Sequence, residues 1–318
     1  MQIVILDAFA ENPGDLSWDW LNEYGTVTIY DRTPEEKIVE RAKDADILIL
    51  NKTPLLKEHI EKLEKLQFVA LLSTGYNIVD GKALRARQIP VCNIPSYSTN
   101  AVAQLTFAFI LEFANAVRLH SDAVHDGEWV SCPDFCFTKA PLFELCGKTL
   151  GIVGFGKIGQ RVADLAAAFG MRVLAYSGHE TDQSARQNFA WASLEDLAAQ
   201  SDFITFHCPL TPETEGLVDA KFLSHCKTGA YLINTSRGPV LNEAAVAAAL
   251  QSGKLAGAAV DVLSVEPAQA ENPLLHAKNC LITPHIAWAG YETRSRLMEI
   301  LKENFKAYFA GQPQNVVN

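Results

Sequence analysis

Three polar residues each follow an apolar run in the C-terminal half of the chain. Arg237 stands in "NTSRGPV" after "GAYLI", Glu266 in "SVEPAQ" after "AGAAVDVL", and His285 in "TPHIAW" after "CLI". They are a fixed cation suited to anions, an acid, and an imidazole that can give or take a proton. Singly, each reads equally well as structural: Arg237 as a cap or surface ion pair, Glu266 as a solvated loop residue, His285 as a packed core histidine. Together they stand past the ends of successive apolar strands. In an open α/β sheet that edge is where ligands bind.

A second pattern is "GFGKIG", residues 154 to 159, between the strand candidate "TLGIV" and the helix candidate "QRVADLAAAFG". In that context Gly154 makes the tight turn, Gly156 lets the backbone approach a pyrophosphate, and Gly159 lets the helix pack on the sheet. The helix N-terminus attracts the phosphates. Lys157 and Ile158 complete the loop. The next strand, "RVLAYS", ends on Ser177, Gly178 and His179, where NAD sites usually place an acid that bonds the ribose. The acid is absent, and so is an arginine for a 2′-phosphate unless Arg186 folds back. A nicotinamide dinucleotide is expected, NAD or NADP, with the balance toward NAD.

The elements that must position these residues alternate. "QIVILDA", "DILILN", "FVALLST" and "PVCNI" read as buried strands. "PEEKIVERAKDA", "LLKEHIEKLEKL" and "GKALRARQI" read as helices between them, which implies a parallel sheet covered on both faces. "TNAVAQLTFAFILEFANAVRLH" reads as one long helix, apolar nearly all round, and "DGEWVSCPDFCFTKAPLFEL" as an irregular aromatic arm. A second α/β unit begins at "KTLGIVGFG" and runs through "FITFHCPL", "GAYLINTS", "LAGAAVDVL" and "CLITPH". Gly253 reads as the C-terminal cap of "AAVAAALQSG". The last stretch, "GYETRSRLMEILKENFKAYFAGQ", reads as one amphipathic helix.

The chain has 318 residues, enough for two domains. A net charge of −10 argues against nucleic-acid and anionic-membrane partners. Seven cysteines without metal-ligand spacing predict reduced thiols, no metal, and a cytoplasmic location.

"GFGKIG", "CPLTPETEGL", "LINTSRGPVLNEAAVAAALQSGKLAGAAVDVLSVEP" and "LITPHIAW" resemble, in order and spacing, the signature stretches of the D-isomer-specific 2-hydroxyacid dehydrogenases. The likeness is dense from residue 145 onward. In the first hundred residues it rests on "LLSTGYNIVD" and "TNAVAQLTFAFIL". The arm "WVSCPDFCF" with "PLFELCGKT" is most similar to that of glycerate dehydrogenases, also called hydroxypyruvate reductases.

The resemblance implies that Arg237 holds the substrate carboxylate and His285 exchanges a proton with the carbonyl oxygen, while Glu266 orients the imidazole. It implies that Thr106 and Asp261 lie near the nicotinamide, that Pro209 and Thr214 line the adenosine side, and that His207, Cys208, Thr235 and Ser236 contact the cofactor. Gly75 and Tyr76 would offer amides to the carboxylate, Asn51 and Lys52 would tune the substrate, and Trp288 would wall its pocket.

The expected fold is α/β, two doubly wound parallel-sheet domains, Rossmann-like and flavodoxin-like. A discontinuous substrate domain spans 1–98 plus 287–318, and an NAD(P)-binding domain spans 99–286. The expected activity is reversible reduction of a small 2-keto acid, hydroxypyruvate to D-glycerate, by a homodimer, the arm helping to form the pair. Alternatives are glyoxylate reductase, phosphoglycerate dehydrogenase, or a dinucleotide-sensing corepressor-like protein. Formate dehydrogenases are disfavoured, because they place Gln where Glu266 stands.

Overall fold

The computed structural model describes all residues, Met1–Asn318. They form two compact units, one of Met1–Tyr97 with Ala289–Asn318 and one of Ser98–Trp288.

The first unit holds a five-stranded parallel sheet in the order β2-β1-β3-β4-β5. Its strands are β1 (Gln2–Ile5), β2 (Thr26–Ile29), β3 (Ile47–Leu50), β4 (Phe68–Leu71) and β5 (Val91–Cys92). β3 and β4 are buried at every position, as their unbroken apolar runs demand. β2, "TVTI", is an edge strand with mostly exposed side chains, and no apolar run announced it. The helices α1 (Ile38–Ala42), α2 (Lys57–Ile60) and α3 (Gly81–Ala86) connect the strands.

α2 corrects the expectation of a helix over "LLKEHIEKLEKL": it is a single turn. The Arg87 guanidinium donates to the carbonyls of Ile60 at 2.5 Å, Leu63 at 2.9 Å and Glu64 at 3.1 Å, oxygens that a longer helix would have used. Ile60, Leu63 and Leu66 are still buried, so the apolar spacing is satisfied by turns instead of a helix.

The second unit opens with α4 (Thr99–Asn115) and α5 (Val117–His125). The single helix expected over 99–120 is broken at Ala116, which adopts φ +45°, and the two parts meet at 56°. α4 carries the apolar surface, with Phe107, Phe109 and Ile110 buried, whereas α5 buries only Ala123. No single helix is long and apolar enough to cross a membrane. The arm after α5 has no helix or strand before β6, as its irregular pattern suggested.

A seven-stranded parallel sheet follows, in the order β12-β11-β10-β9-β6-β7-β8. Its strands are β6 (Thr149–Val153), β7 (Arg172–Tyr176), β8 (Phe189–Trp191), β9 (Phe203–Phe206), β10 (Ala230–Asn234), β11 (Leu255–Val260) and β12 (Cys280–Ile282). The covering helices are α6 (Lys157–Ala168), α7 (Leu194–Gln200), α8 (Ala220–His225) and α9 (Glu243–Gln251). Gly253 takes φ +75° just past the end of α9, as a helix-terminating glycine does.

α10 (Tyr291–Phe309) belongs to the first unit. Its buried stripe of Leu297, Leu301 and Phe305 meets the sheet, where Phe305 packs edge-on against Phe68 with ring centroids 5.5 Å apart. The buried Asn304 side chain donates to the Asn93 carbonyl at 2.9 Å, anchoring the helix to the chain beyond β5.

Candidate active site

In the second unit the strand order reverses between β6 and β9, so the loops after these two strands diverge and leave a crevice. The glycine loop occupies one side. Gly154 has φ +93°, and a side chain there would strike the His207–Cys208 backbone at about 2.5 Å. Gly159 is similarly closed off by the Gly154 carbonyl, 2.3 Å from where a Cβ would lie, which lets α6 start against the sheet. Gly156, at the N-cap of α6, has open space above it. A cradle open above the middle glycine, facing a twelve-residue helix N-terminus, fits a dinucleotide pyrophosphate.

Across the crevice, the His207 imidazole is pushed down to about 3 by burial and is neutral. Its Nδ1 lies 3.5 Å from Thr235 Oγ1, which lies 3.2 Å from Thr106 Oγ1, so the three form one polar chain. His207 Nε2 is buried without a partner, an orphaned polar atom that a bound cofactor would satisfy. Thr214 Oγ1 donates to the Pro209 carbonyl at 2.7 Å and closes that loop. Ser177 Oγ accepts the His179 N–H at 3.3 Å across the turn containing Gly178. Arg186 folds back onto α6, donating to Asp164 at 2.5 Å, with its guanidinium 5.7 Å from the Phe155 ring of the glycine loop.

The three residues that could do chemistry leave three neighbouring strands. Asn234, Val260 and Ile282 are register partners across β10, β11 and β12, and Arg237, Glu266 and His285 follow them. His285 Nδ1 lies 2.7 Å from Glu266 Oε2. Glu266 Oε1 accepts the Leu263 N–H at 3.1 Å, which fixes the carboxylate. With Nδ1 engaged, the imidazole has Nε2 left to exchange a proton with a ligand. The Arg237 guanidinium makes one hydrogen bond, to the Ser236 carbonyl at 2.8 Å, and is otherwise exposed.

Each of these loops is held by a buried group behind it. The Asn234 side chain accepts from Ser236 N at 2.9 Å and Ser236 Oγ at 2.7 Å, and donates to the Arg237 carbonyl at 2.9 Å. Asp261, 1% exposed, accepts from Thr283 Oγ1 and from the backbone N–H groups of Ile286 and Ala287. The half-buried Trp288 follows directly. Gly238 lets the Arg237 turn lie against Leu263, whose carbonyl carbon is 1.9 Å from where a Cβ would stand. Glu243, at the start of α9, accepts from Ser264 N, Ser264 Oγ and Asn272 Nδ2 and steadies the Glu266 loop. Sequence reading missed Asn234 and Glu243. Only the local turn tendency of Asn was available as a signal for the first.

The model of the D-isomer specific 2-hydroxyacid dehydrogenase NAD binding domain matches residues 107–287. The chain belongs to the D-isomer-specific 2-hydroxyacid dehydrogenases. This dehydrogenase is 46% identical to a hydroxypyruvate reductase of Blautia hydrogenotrophica, over 100% of both chains. It is 38% identical to a glycerate dehydrogenase of Methylorubrum extorquens, covering 90% of this chain and 89% of that one. Among solved structures it resembles an acyclic imino acid reductase in complex with NADPH and D-Arg, with a TM-score of 0.87 and 32% identity over the whole of both chains. The dehydrogenase is an oxidoreductase of the CH–OH group, and NAD or NADP is its cofactor.

The remaining sequence candidates lie on the first unit, at the carboxyl ends of β3 and β4. Asn51 and Lys52 follow β3, and their N–H groups donate to the Asp7 carboxylate at 2.8 and 2.6 Å. Gly75 and Tyr76 lie in the turn after β4, shaped by Ser73 Oγ donating to the Gly75 carbonyl at 2.7 Å. Their own N–H groups make no hydrogen bond.

Proposed function

We propose that this dehydrogenase reduces hydroxypyruvate reversibly to D-glycerate. The observation that carries the reading is the pair of His285, after β12, and Glu266, after β11, two strands that succeed β10, which leads to Arg237. The hydroxypyruvate reductase and glycerate dehydrogenase relatives support the choice of substrate.

In this reading the Arg237 guanidinium binds the substrate carboxylate and draws electron density toward the neighbouring carbonyl oxygen. The bound nicotinamide supplies the hydride for reduction or accepts it in oxidation. His285 Nε2 gives its proton to the carbonyl oxygen in reduction and takes it back in oxidation. Glu266 holds the ring by Nδ1 and balances the charge of the imidazolium. Asp261 keeps the His285 loop in place.

We further propose a cytoplasmic homodimer. Val130 is 92% and Phe135 89% exposed, with Trp129 beside them, an apolar surface that a second copy would cover. All seven cysteines are free. Size-exclusion chromatography coupled to light scattering should give a dimer for the native chain and a monomer for Phe135→Asp.

The deciding experiment is a steady-state assay of nicotinamide absorbance with NADH and NADPH against hydroxypyruvate, glyoxylate, pyruvate and 2-ketobutyrate. Highest kcat/KM with hydroxypyruvate is expected. Absence of turnover on all four would overturn the reading.

A further inference from the structure

The loop that carries Glu266 has few anchors of its own. Residues 264–271 are exposed at every position and form no helix or strand, while the flanking Leu263 and Asn272 are buried. A segment without apolar anchors opens at low cost. Yet Glu266 meets His285 at 2.7 Å. Proton transfer depends on groups held in place, so a contact this close needs support from outside the loop.

Glu243 supplies that support. It is the first residue of α9 and is half-buried. Its Oε1 accepts the Ser264 N–H at 2.8 Å. Its Oε2 accepts the Ser264 hydroxyl at 2.7 Å and Asn272 Nδ2 at 2.9 Å. One carboxylate thus ties both ends of the loop to a single point. At the near end, Ser264 follows Leu263, whose N–H donates to Glu266 Oε1 at 3.1 Å. At the far end, Asn272 Oδ1 accepts the Leu274 N–H at 3.0 Å and caps the short helical turn Pro273–His276. The Asn272 amide is therefore held through both its oxygen and its nitrogen.

An acid at the start of a helix is favoured by the helix dipole, which alone would account for a carboxylate at this position. The dipole does not account for both oxygens reaching out of α9 to the two ends of one loop. Glu243 also follows Arg237 closely in the chain, so one segment bears the guanidinium and holds the loop of the acid.

We propose that Glu243 is a positioning residue for the reaction: by closing the base of the loop, it holds Glu266 where it meets the His285 imidazole. The proposal rests on the reading of His285 and Glu266 as the proton-transfer pair. In Glu243→Gln one oxygen becomes an NH2 group, which must face a donor at Ser264 N or at Asn272 Nδ2, so both ends cannot be tied at once.

The test measures kcat, KM for hydroxypyruvate and NADH affinity in the native enzyme, Glu243→Gln, Glu266→Ala and the double variant. Glu243→Gln should lower kcat by about tenfold to a hundredfold, the scale of a misplacement near 1 Å, and leave KM and NADH affinity near native. In Glu266→Ala no carboxylate is left to place, so adding Glu243→Gln should change kcat little. A merely structural role would lower kcat by the same factor in both backgrounds, and that result would overturn the proposal. So would native kcat in Glu243→Gln. Should Glu243→Gln fail to fold, Asn272→Asp takes its place in the same cycle: it keeps the acceptor for the Leu274 N–H and sets a carboxylate against Glu243. A native enzyme without turnover, or full rate in Glu266→Ala, would instead sink the reading on which the proposal stands.

Discussion

The Thr283 hydroxyl donates to the Asp261 carboxylate at 2.6 Å, joining the end of β12 to the residue that follows β11. The same carboxylate takes the N–H groups of Ile286 and Ala287 at 2.8 and 2.9 Å, and the Asp261 carbonyl takes the His285 N–H at 2.8 Å. His285 has φ +54°, a conformation unusual for a residue with a side chain, and these bonds surround it on both sides. Asp261→Ala should therefore cost about 1–3 kcal/mol of stability, because it leaves the buried Ala287 N–H and the part-buried Ile286 N–H and Thr283 hydroxyl without their acceptor. It should also cut kcat by more than it changes dinucleotide affinity. Thermal melts and a fluorescence titration with NADH check the two parts.

His285→Ala should lower kcat by about 10²–10⁴, the usual scale for a proton-transfer group, with little change in melting temperature. Glu266→Gln keeps the shape of the partner but removes its charge, and should fall between the native enzyme and His285→Ala. Full activity in His285→Ala would remove the proton-donor assignment.

Glu11 links stability to pH. Its ordinary value is 4.5, and in the folded chain burial, and then the nearby Asp7 charge, raise it to about 9. Between those values the folded state holds a proton that the unfolded state has released. Stability is therefore full below about 4.5 and declines as pH rises toward 9. Asp7, also raised by burial, adds to the decline. Glu11→Gln should be more stable than the native chain at pH 8, by on the order of a few kcal/mol. The two should converge near pH 4. Urea melts at the two pH values test the sign.

Ser177 stands at the end of β7 where an acid would repel a 2′-phosphate. Ser177→Asp should lower the NADPH-to-NADH ratio of kcat/KM by about tenfold or more, from like-charge repulsion at short range. A ratio that does not move would place the adenosine ribose elsewhere.

Gly238→Ala should reduce both stability and activity. The added methyl would lie 1.9 Å from the Leu263 carbonyl carbon, so backbone must move. Overpacking of this kind costs about 1–3 kcal/mol. The displaced segment carries Arg237 on one side and leads to Glu266 on the other, so kcat/KM should fall more than the melting temperature suggests.

Much of this was legible because it is local. Short apolar runs such as "ILIL" and "FVALL", bounded by polar residues, read as strands buried on both faces, and "GFGKIG" between a strand and a helix prescribes its own turn. The illegible parts are those in which a distant group changes the local outcome. Arg87 takes carbonyls more than twenty residues away and stops α2 after one turn. Ala116 breaks a run whose composition is helical throughout. The edge strands β2 and β8 are defined by a neighbour's hydrogen bonds, because their own side chains are largely exposed or half-buried.

The sequence by itself determined the class of fold, the cofactor loop, and which three residues could perform chemistry, since each depends on residue type and short spacing. Only the tertiary structure decided that β10, β11 and β12 are neighbours in register, that His285 meets Glu266 across nineteen residues, and that Asp261, Asn234 and Glu243 stand behind the loops. The reason is physical. Strand order and the burial of a carboxylate come from which surfaces the whole chain removes from water, and no short stretch carries that information.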